Sequence, residues 1–293
     1  MKQSKIHTQI ILILLIFIAS VSCTEMIDMD YSTDMERLVV DARILDNDTL
    51  QYVKLSKINL KPENGIVSPI SNANVFVNDG EKSITFVESD TEKGLYVAPD
   101  GFIGEYGKKY DLAISETGVT GTNGTDSYLA SAIMGNQLIM DSTTALFVNK
   151  PEFGIEGFIL KCWAWDPPER NFYLFKAWKN DTLLTDSLFE YRQTNDEIYN
   201  GNYINGVNCQ LLQDRKKDEY VKSGDTLTLE INNIDEAYFD YILSAQKEYR
   251  GSSPMFGGPP ANVTSNVSNG AVGIFRVYSV VKSSVIVHDA IRY

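Results

Sequence analysis

Alternation with a period of two recurs along this chain, and helical periodicity stands out only once, near the C-terminus. Successive side chains of a strand face opposite ways, so this alternation suits sheets with one buried face and one exposed face. Leu38, Val40, Ala42 and Ile44 alternate with polar or smaller neighbours. Val75 and Val77 lead into Asn78-Asp79-Gly80, and Ile84 and Phe86 follow, which reads as a hairpin. Gly94-Leu95-Tyr96 and the set Tyr110, Leu112 and Ile114 add further strands. Together these predict a small antiparallel sandwich in a domain over residues 35–148.

Asn149-Lys150-Pro151 is the expected boundary, because proline disfavours strand continuation and an aromatic-rich composition begins after it. In the second domain, 149–293, strands are predicted over 153–165, 172–178, 183–191 and 226–231. Lys179-Asn180-Asp181-Thr182 is the expected turn between the second and third of these. One helix follows: Asn233 is the expected N-cap, Tyr238, Tyr241, Ile242, Ala245 and Tyr249 recur at helical spacing, and Gly251 can end it. Residues 251–270 hold too many Gly and Pro for a regular element, and an irregular segment of this length usually covers or binds something. Strands over 271–281 and 284–288 close the sheet. The expected fold is all-β: a sandwich, then a curved antiparallel sheet or partly closed barrel with one helix near the C-terminus.

The N-terminus carries an address. Lys2 and Lys5 precede an apolar run from Ile10 to Ile18, then Ala19, Ser20 and Ser22 lead into Cys23. The run falls well short of the roughly 20 residues that cross a bilayer as a helix. It predicts a lipoprotein signal peptide over 1–22, cleaved to leave Cys23 as a lipidated first residue, with acyl chains such as palmitate holding the chain to a membrane. Residues 23–34 then form an acidic tether. Thr24-Glu25-Met26-Ile27-Asp28-Met29-Asp30 resembles the tether that sends Bacteroidetes lipoproteins to the outer face of the outer membrane, which implies that location.

Charge and residue usage narrow the function. The chain has 26 basic and 39 acidic side chains, a net charge of −13, and removing the signal takes away Lys2 and Lys5 but no acid. Nucleic acid is an unsuitable partner for such a surface. The one dense basic run, Arg215-Lys216-Lys217, is flanked by Asp214, Asp218 and Glu219. After the signal only His288 is left to serve as an imidazole base, so a Ser or Cys nucleophile lacks its usual partner. Phosphate and dinucleotide loops are missing, and one His with two distant Cys does not compose a zinc site. No enzymatic activity, metal or cofactor is expected. Cys162 and Cys209 either pair as a disulfide in an oxidising compartment or remain buried thiols.

Two segments are candidate contacts. Trp163 and Trp165 share one strand face, opposite Leu160, Cys162 and Ala164. They either pack inside a curved sheet or, if exposed, stack on a sugar or dock a protein. Met255 and Phe256 are the apolar residues of the Gly/Pro-rich segment.

The order of Ala73-Asn74-Val75-Phe76-Val77, Gly94-Leu95-Tyr96 and Gly107-Lys108-Lys109-Tyr110-Asp111-Leu112 resembles transthyretin-like or immunoglobulin-like domains, which implies a sandwich. The helix, the Gly257-Gly258-Pro259-Pro260 loop, Asn262-Val263-Thr264-Ser265-Asn266-Val267 and Gly270 to Ser279 resemble the C-terminal signature of a Bacteroidetes family of outer-membrane lipoproteins. That family carries only a domain-of-unknown-function label. The resemblance implies an accessory, ligand-capturing role beside a TonB-dependent outer-membrane transporter. It supplies no catalytic residues, and Arg276 stands where the family usually has an apolar or small residue, a change expected at a surface contact. Rival readings are a structural or adhesive surface protein and a carboxylate-dependent glycan hydrolase.

Overall fold

A computed structural model describes residues 36–59, 67–251 and 263–288. In the first part, β1 (Glu36–Leu45) and β2 (Tyr52–Asn59) are antiparallel, with Val40 opposite Leu55 and Ala42 opposite Val53. The short β3 (Val67–Pro69) adds to β2. β4 (Asn74–Asn78) and β5 (Ser83–Glu88) form the hairpin read from the sequence, with Val77 opposite Ile84. Asp79 shapes its turn by accepting the N–H groups of Glu81 and Lys82 at 3.0 and 2.9 Å. β6 (Leu95–Val97), β7 (Lys109–Ser115) and β8 (Ser127–Ile133) complete this part. The apolar members of each alternating set meet in one core, in which Leu38, Val40, Leu55, Val77, Leu112 and Ile114 are all buried. This is the expected sandwich.

The second part is also two-layered. β9 (Ile139–Lys150), β10 (Ile155–Trp165) and β14 (Tyr203–Gln213) make a three-stranded sheet in the order β14-β10-β9. Its inner face, with Phe158, Leu160, Cys162 and Ala164, packs in one core with residues of β11 (Phe172–Lys179) and β15 (Thr226–Ile234). Asn149 and Lys150 still belong to β9, and the 3₁₀ turn Pro151–Phe153, ended by Gly154 at positive φ, makes the hairpin into β10. The passage from the first core to the second lies earlier, between Met134 and Leu138.

Three details depart from the sequence reading. The strand expected over 183–191 stops almost at once. Asn180 and Asp181 both take positive φ, as a tight two-residue hairpin requires, and β12 is only Thr182–Leu183. A capping box then diverts the chain: Ser187 accepts the Phe189 N–H while Glu190 accepts the Ser187 N–H, each at 3.4 Å, giving a 3₁₀ turn over Leu188–Glu190. β13 (Arg192–Asn195) returns to pair with β11. Secondly, the last two expected strands are one, β16 (Val272–Ile286). Thirdly, β16 runs parallel to β1, with Ala42 opposite Phe275, and antiparallel to β15, with Ile231 opposite Val281. Its early residues Phe275 and Val277 fill the first core, and Val281 and Val285 pack against the second. One strand therefore binds both cores into a 13-stranded sheet. No sheet among the described residues closes into a barrel, so the open curved sheet is the form found.

The helix, α1 (Glu236–Gly251), lies where its periodicity places it. Tyr238 and Ile242 pack against Leu174, Ile234, Ile274 and Tyr278 on the face of the large sheet opposite the second core. Gln246 donates to the carbonyls of Leu188 and Tyr191, both at 3.0 Å, which ties the helix to the 3₁₀ turn. Its cap is Asp235, which accepts the Tyr238 N–H at 2.8 Å. Asn233, the expected cap, still belongs to β15, and its amide donates on the other face to Asn136 O and Asn171 Oδ1.

Burial pushes the Asp235 carboxyl up to about 6, against the lowering effect of the capping bond. The folded state thus holds the proton more tightly than the unfolded chain, where Asp titrates near 3.9. Stability from this group is fully present below about pH 4 and is lost as pH rises through about 6. Asp235→Asn keeps a capping oxygen and removes the charge. It should melt higher than the parent at pH 7.5 by the equivalent of about 1–2 kcal/mol and show no gain at pH 4. Equal melting curves at pH 7.5 would refute this assignment.

Candidate functional site

β10 carries chemistry on both of its faces. On the outer face Trp165 is paired with Ile139 of β9 and Tyr203 of β14, and Trp163 lies one step along, opposite Ser142 and Asn205. Trp165 is 53% exposed and Ile139 67% exposed. The Trp165 and Tyr203 rings meet at 5.1 Å in a tilted arrangement. A hydrogen bond to Asp141, assisted by desolvation, raises the Tyr203 hydroxyl pKa. Trp163 lies across Gly206, where a Cβ would meet its ring at 2.7 Å, and Lys161 stands 5.8 Å from its ring centroid. Further along the same face are Leu146, 50% exposed, and its neighbour Ile159. The tryptophans therefore face outwards, and the alternative of packing inside the curved sheet does not occur. Alternation puts Trp163 and Trp165 opposite Cys162 and Ala164, and the packing of the latter against β11 and β15 makes the tryptophan face the outer one.

Behind this face lies a cavity of about 100 Å³. Its walls include Leu138, Phe175, Ile204 and Ile231, and its polar end holds Asp166 and Asp196. Asp166 follows Trp165 directly. Its Oδ1 accepts the Tyr173 hydroxyl at 2.5 Å and its Oδ2 the Gly201 N–H at 3.0 Å. Burial raises the Asp166 pKa despite these bonds, and burial with the adjacent carboxylate drives the Tyr173 hydroxyl far up. Asp196 is 2% exposed; its Oδ2 accepts the Asn171 N–H at 2.7 Å, and its Oδ1 has no partner among the described residues. The turn after β13 holds this arrangement, with the N–H groups of Tyr199 and Asn200 donating to Asp196 O at 2.7 and 2.8 Å.

Cys162 and Cys209 also line the cavity. Cys209 is the extra residue where the β10–β14 register shifts between Leu160 and Lys161. Both are buried free thiols, one of the two states their sequence allows. A hydrogen bond with Cys162 and then burial raise the Cys209 thiol pKa, the opposite of what activates a thiol as a nucleophile. Among the described residues no three His, Cys, Asp or Glu side chains come together as metal ligands. Cys23, Met255 and Phe256 lie outside the described residues.

The C-terminal motif residues take structural roles. Asn266 brackets β16 with two bonds, its amide donating to Phe275 O at 2.6 Å and its carbonyl accepting the Phe275 N–H at 2.9 Å. Asn269 accepts the Asn123 N–H at 2.8 Å and donates to Thr125 O and Ser127 O at 2.9 and 3.0 Å. Arg276 is not at a surface contact. It pairs with Asp41, donates to the Tyr52 hydroxyl at 3.0 Å and lies 5.6 Å from the Tyr238 ring centroid, so it joins β16, β1, β2 and α1.

Asp166, Asp196 and Tyr203 were not among the candidates from sequence. Asp166 sits beside the tryptophan pair, which is a usable hint. Asp196 has no local signal, because a turn acid and a buried acceptor look alike until the sheet is assembled. The profile of a family described as Domain of unknown function (DUF4249) matches residues 24–284. No curated protein matches the chain. No helix among the described residues is long and apolar enough to cross a membrane.

Proposed function

This chain belongs to the DUF4249 family, and from that premise we propose that it is a non-enzymatic lipoprotein, anchored through Cys23 in the outer membrane and facing the cell exterior, that serves a TonB-dependent β-barrel transporter as a ligand-capturing accessory. The observation that carries the reading is the outer face of β9, β10 and β14, where Trp165, Ile139 and Leu146 are exposed and the half-buried Tyr203 and Trp163 lie among them. Aromatic clusters of this kind dominate binding energy when a partner desolvates them. Residues 1–23 support anchoring through their basic, apolar and small-residue order before a cysteine.

Two carboxylates on one cavity invite comparison with glycoside hydrolysis. Both oxygens of Asp166 are already engaged, and the cavity is below the range of about 300 Å³ and upwards typical of ligand clefts. These features favour the binding role. The test is affinity purification of the tagged full chain from native outer membranes in mild detergent. A β-barrel transporter should accompany it, and Trp163→Ala/Trp165→Ala should recover at least tenfold less of that transporter while remaining folded and lipidated. Absence of a barrel, or equal recovery with the variant, would overturn the proposal.

A further inference from the structure

The fold divides the basic run Arg215-Lys216-Lys217 between two tasks. Lys216 pairs with Glu190 at 3.0 Å and with Glu219 at 2.6 Å, and Glu219 also accepts the Gln213 N–H at 2.7 Å. These bonds pin the link between β14 and β15. Arg215 and Lys217, both exposed, stand on the wall of an open cleft of about 720 Å³. Lys179 and Asn180 border it from the end of β11, and Lys222 and Asp225 from the turn before β15. Its walls thus carry four cations against the carboxylates of Asp214 and Asp225, a net charge of +2 on a chain of net charge −13. Among the described residues none of the four cations enters an ion pair. Asp225 is committed to its turn: Oδ1 accepts the Asn180 amide at 2.8 Å and Oδ2 the Lys222 N–H at 2.7 Å. Lys179 donates to the carbonyls of Asp218 and Tyr220, which fixes it in the cleft. We propose that this cleft binds a sugar phosphate, with its phosphate monoester on Arg215, Lys217 and Lys222 and its sugar ring against Tyr220.

Charge and shape select the ligand. A cleft lined by one sign of charge gathers small ions of the other. A guanidinium engages two phosphate oxygens at once, and ammonium groups add point charge beside it. A phosphate monoester carries about −1.5 to −2 at pH 7, which matches the lining. The three cations that would hold it, Arg215, Lys217 and Lys222, are all exposed and so within its reach. Tyr220 is 38% exposed on the same wall and offers an aromatic face to a sugar ring. The volume falls within the range of about 300–1,000 Å³ usual for small-molecule sites. The inference concerns this cleft alone and stands whether or not the chain docks on a transporter.

The experiment is calorimetric titration of the purified full-length chain, in uncharged detergent micelles at low salt, with glucose 6-phosphate, inorganic phosphate and glucose. Glucose 6-phosphate should bind with a dissociation constant of about 0.1–1 mM, inorganic phosphate about fivefold more weakly, and glucose not at all. Arg215→Gln/Lys217→Gln should weaken glucose 6-phosphate at least tenfold. Lys82→Gln/Lys93→Gln removes the same charge from exposed positions of the first sandwich and should leave binding within twofold. Lys222→Gln alone, expected to weaken binding at least threefold, provides the test if the first variant fails to fold. Doping the micelles with phosphatidic acid separates a lipid headgroup from a free sugar phosphate, and should leave the affinity within twofold. Silence with glucose 6-phosphate, equal binding of inorganic phosphate, equal losses in the two double variants, or a tenfold loss on doping would each overturn the proposal.

Discussion

Gly273→Ala should lower stability by roughly 3–4 kcal/mol and the melting temperature by roughly 6–15 °C. Gly273 has a φ of +100°, and a Cβ there would lie 2.0 Å from Val40 O and 2.9 Å from Val40 C. These are backbone atoms of the strand to which it is paired, Val40 being opposite Gly273 in the parallel β1–β16 ladder. A flexible side chain could move aside; a paired backbone moves only if the ladder opens. Opening it disturbs the next pairs, Ala42 with Phe275 and Ile44 with Val277, all buried in the first core. Gly80→Ala is the control. Gly80 also has a positive φ, +90°, but none of the described residues comes within 4 Å of its Cβ position, so only backbone strain of about 1 kcal/mol is expected. Thermal melts of both full-length variants check the pair, and a loss at Gly273 no greater than that at Gly80 would show that the close approach to β1 is immaterial.

Arg276→Ala should cost roughly 2–4 kcal/mol. The guanidinium pairs with Asp41, donates to Tyr52, and packs near the Tyr238 ring, while the Tyr52 hydroxyl donates to Asp41 at 3.3 Å. Solvent screening reduces the ion-pair share, because the Asp41 side chain is 49% exposed. Most of the loss should therefore come from packing and the Tyr52 bond. Arg276→Met restores the apolar stem and should recover about half of the loss. Asp41→Ala removes the anion that pairs with Arg276, and should cost less than Arg276→Ala because the Arg276 stem and its bond to Tyr52 remain. Urea titrations at low and high salt separate these contributions. An Arg276→Ala loss below 1 kcal/mol, or one removed entirely by salt, would refute a packing role.

Legibility followed the range of the forces concerned. The alternating sets in β1, β4, β5 and β7, the Asn78-Asp79-Gly80 turn and the span of α1 could be read because side-chain period, turn chemistry and helical spacing are local. The same alternation set Trp163 and Trp165 opposite Cys162 and Ala164, but whether their face lay open was decided only by the assembled sheets. The strand expected over 183–191 failed for an equally local reason, since the capping box at Ser187 and Glu190 competes with extension. The helix cap moved from Asn233 to Asp235 because β15 holds Asn233 extended, and that pairing is made with β11 and β16.

By itself the sequence determined an all-β body with one helix, an acidic surface, a basic-apolar-cysteine N-terminus and a strand that segregates its tryptophans from its cysteine. Each of these depends on neighbours a few residues apart, or on simple charge. The tertiary structure decided the parallel pairing of β1 with β16, the placement of Arg276 between Asp41, Tyr52 and Tyr238, and the cavity lined by Asp166, Asp196, Cys162 and Cys209. Those features join segments far apart in the chain, and burial assigns their partners only after the two sandwiches have formed around their shared strand.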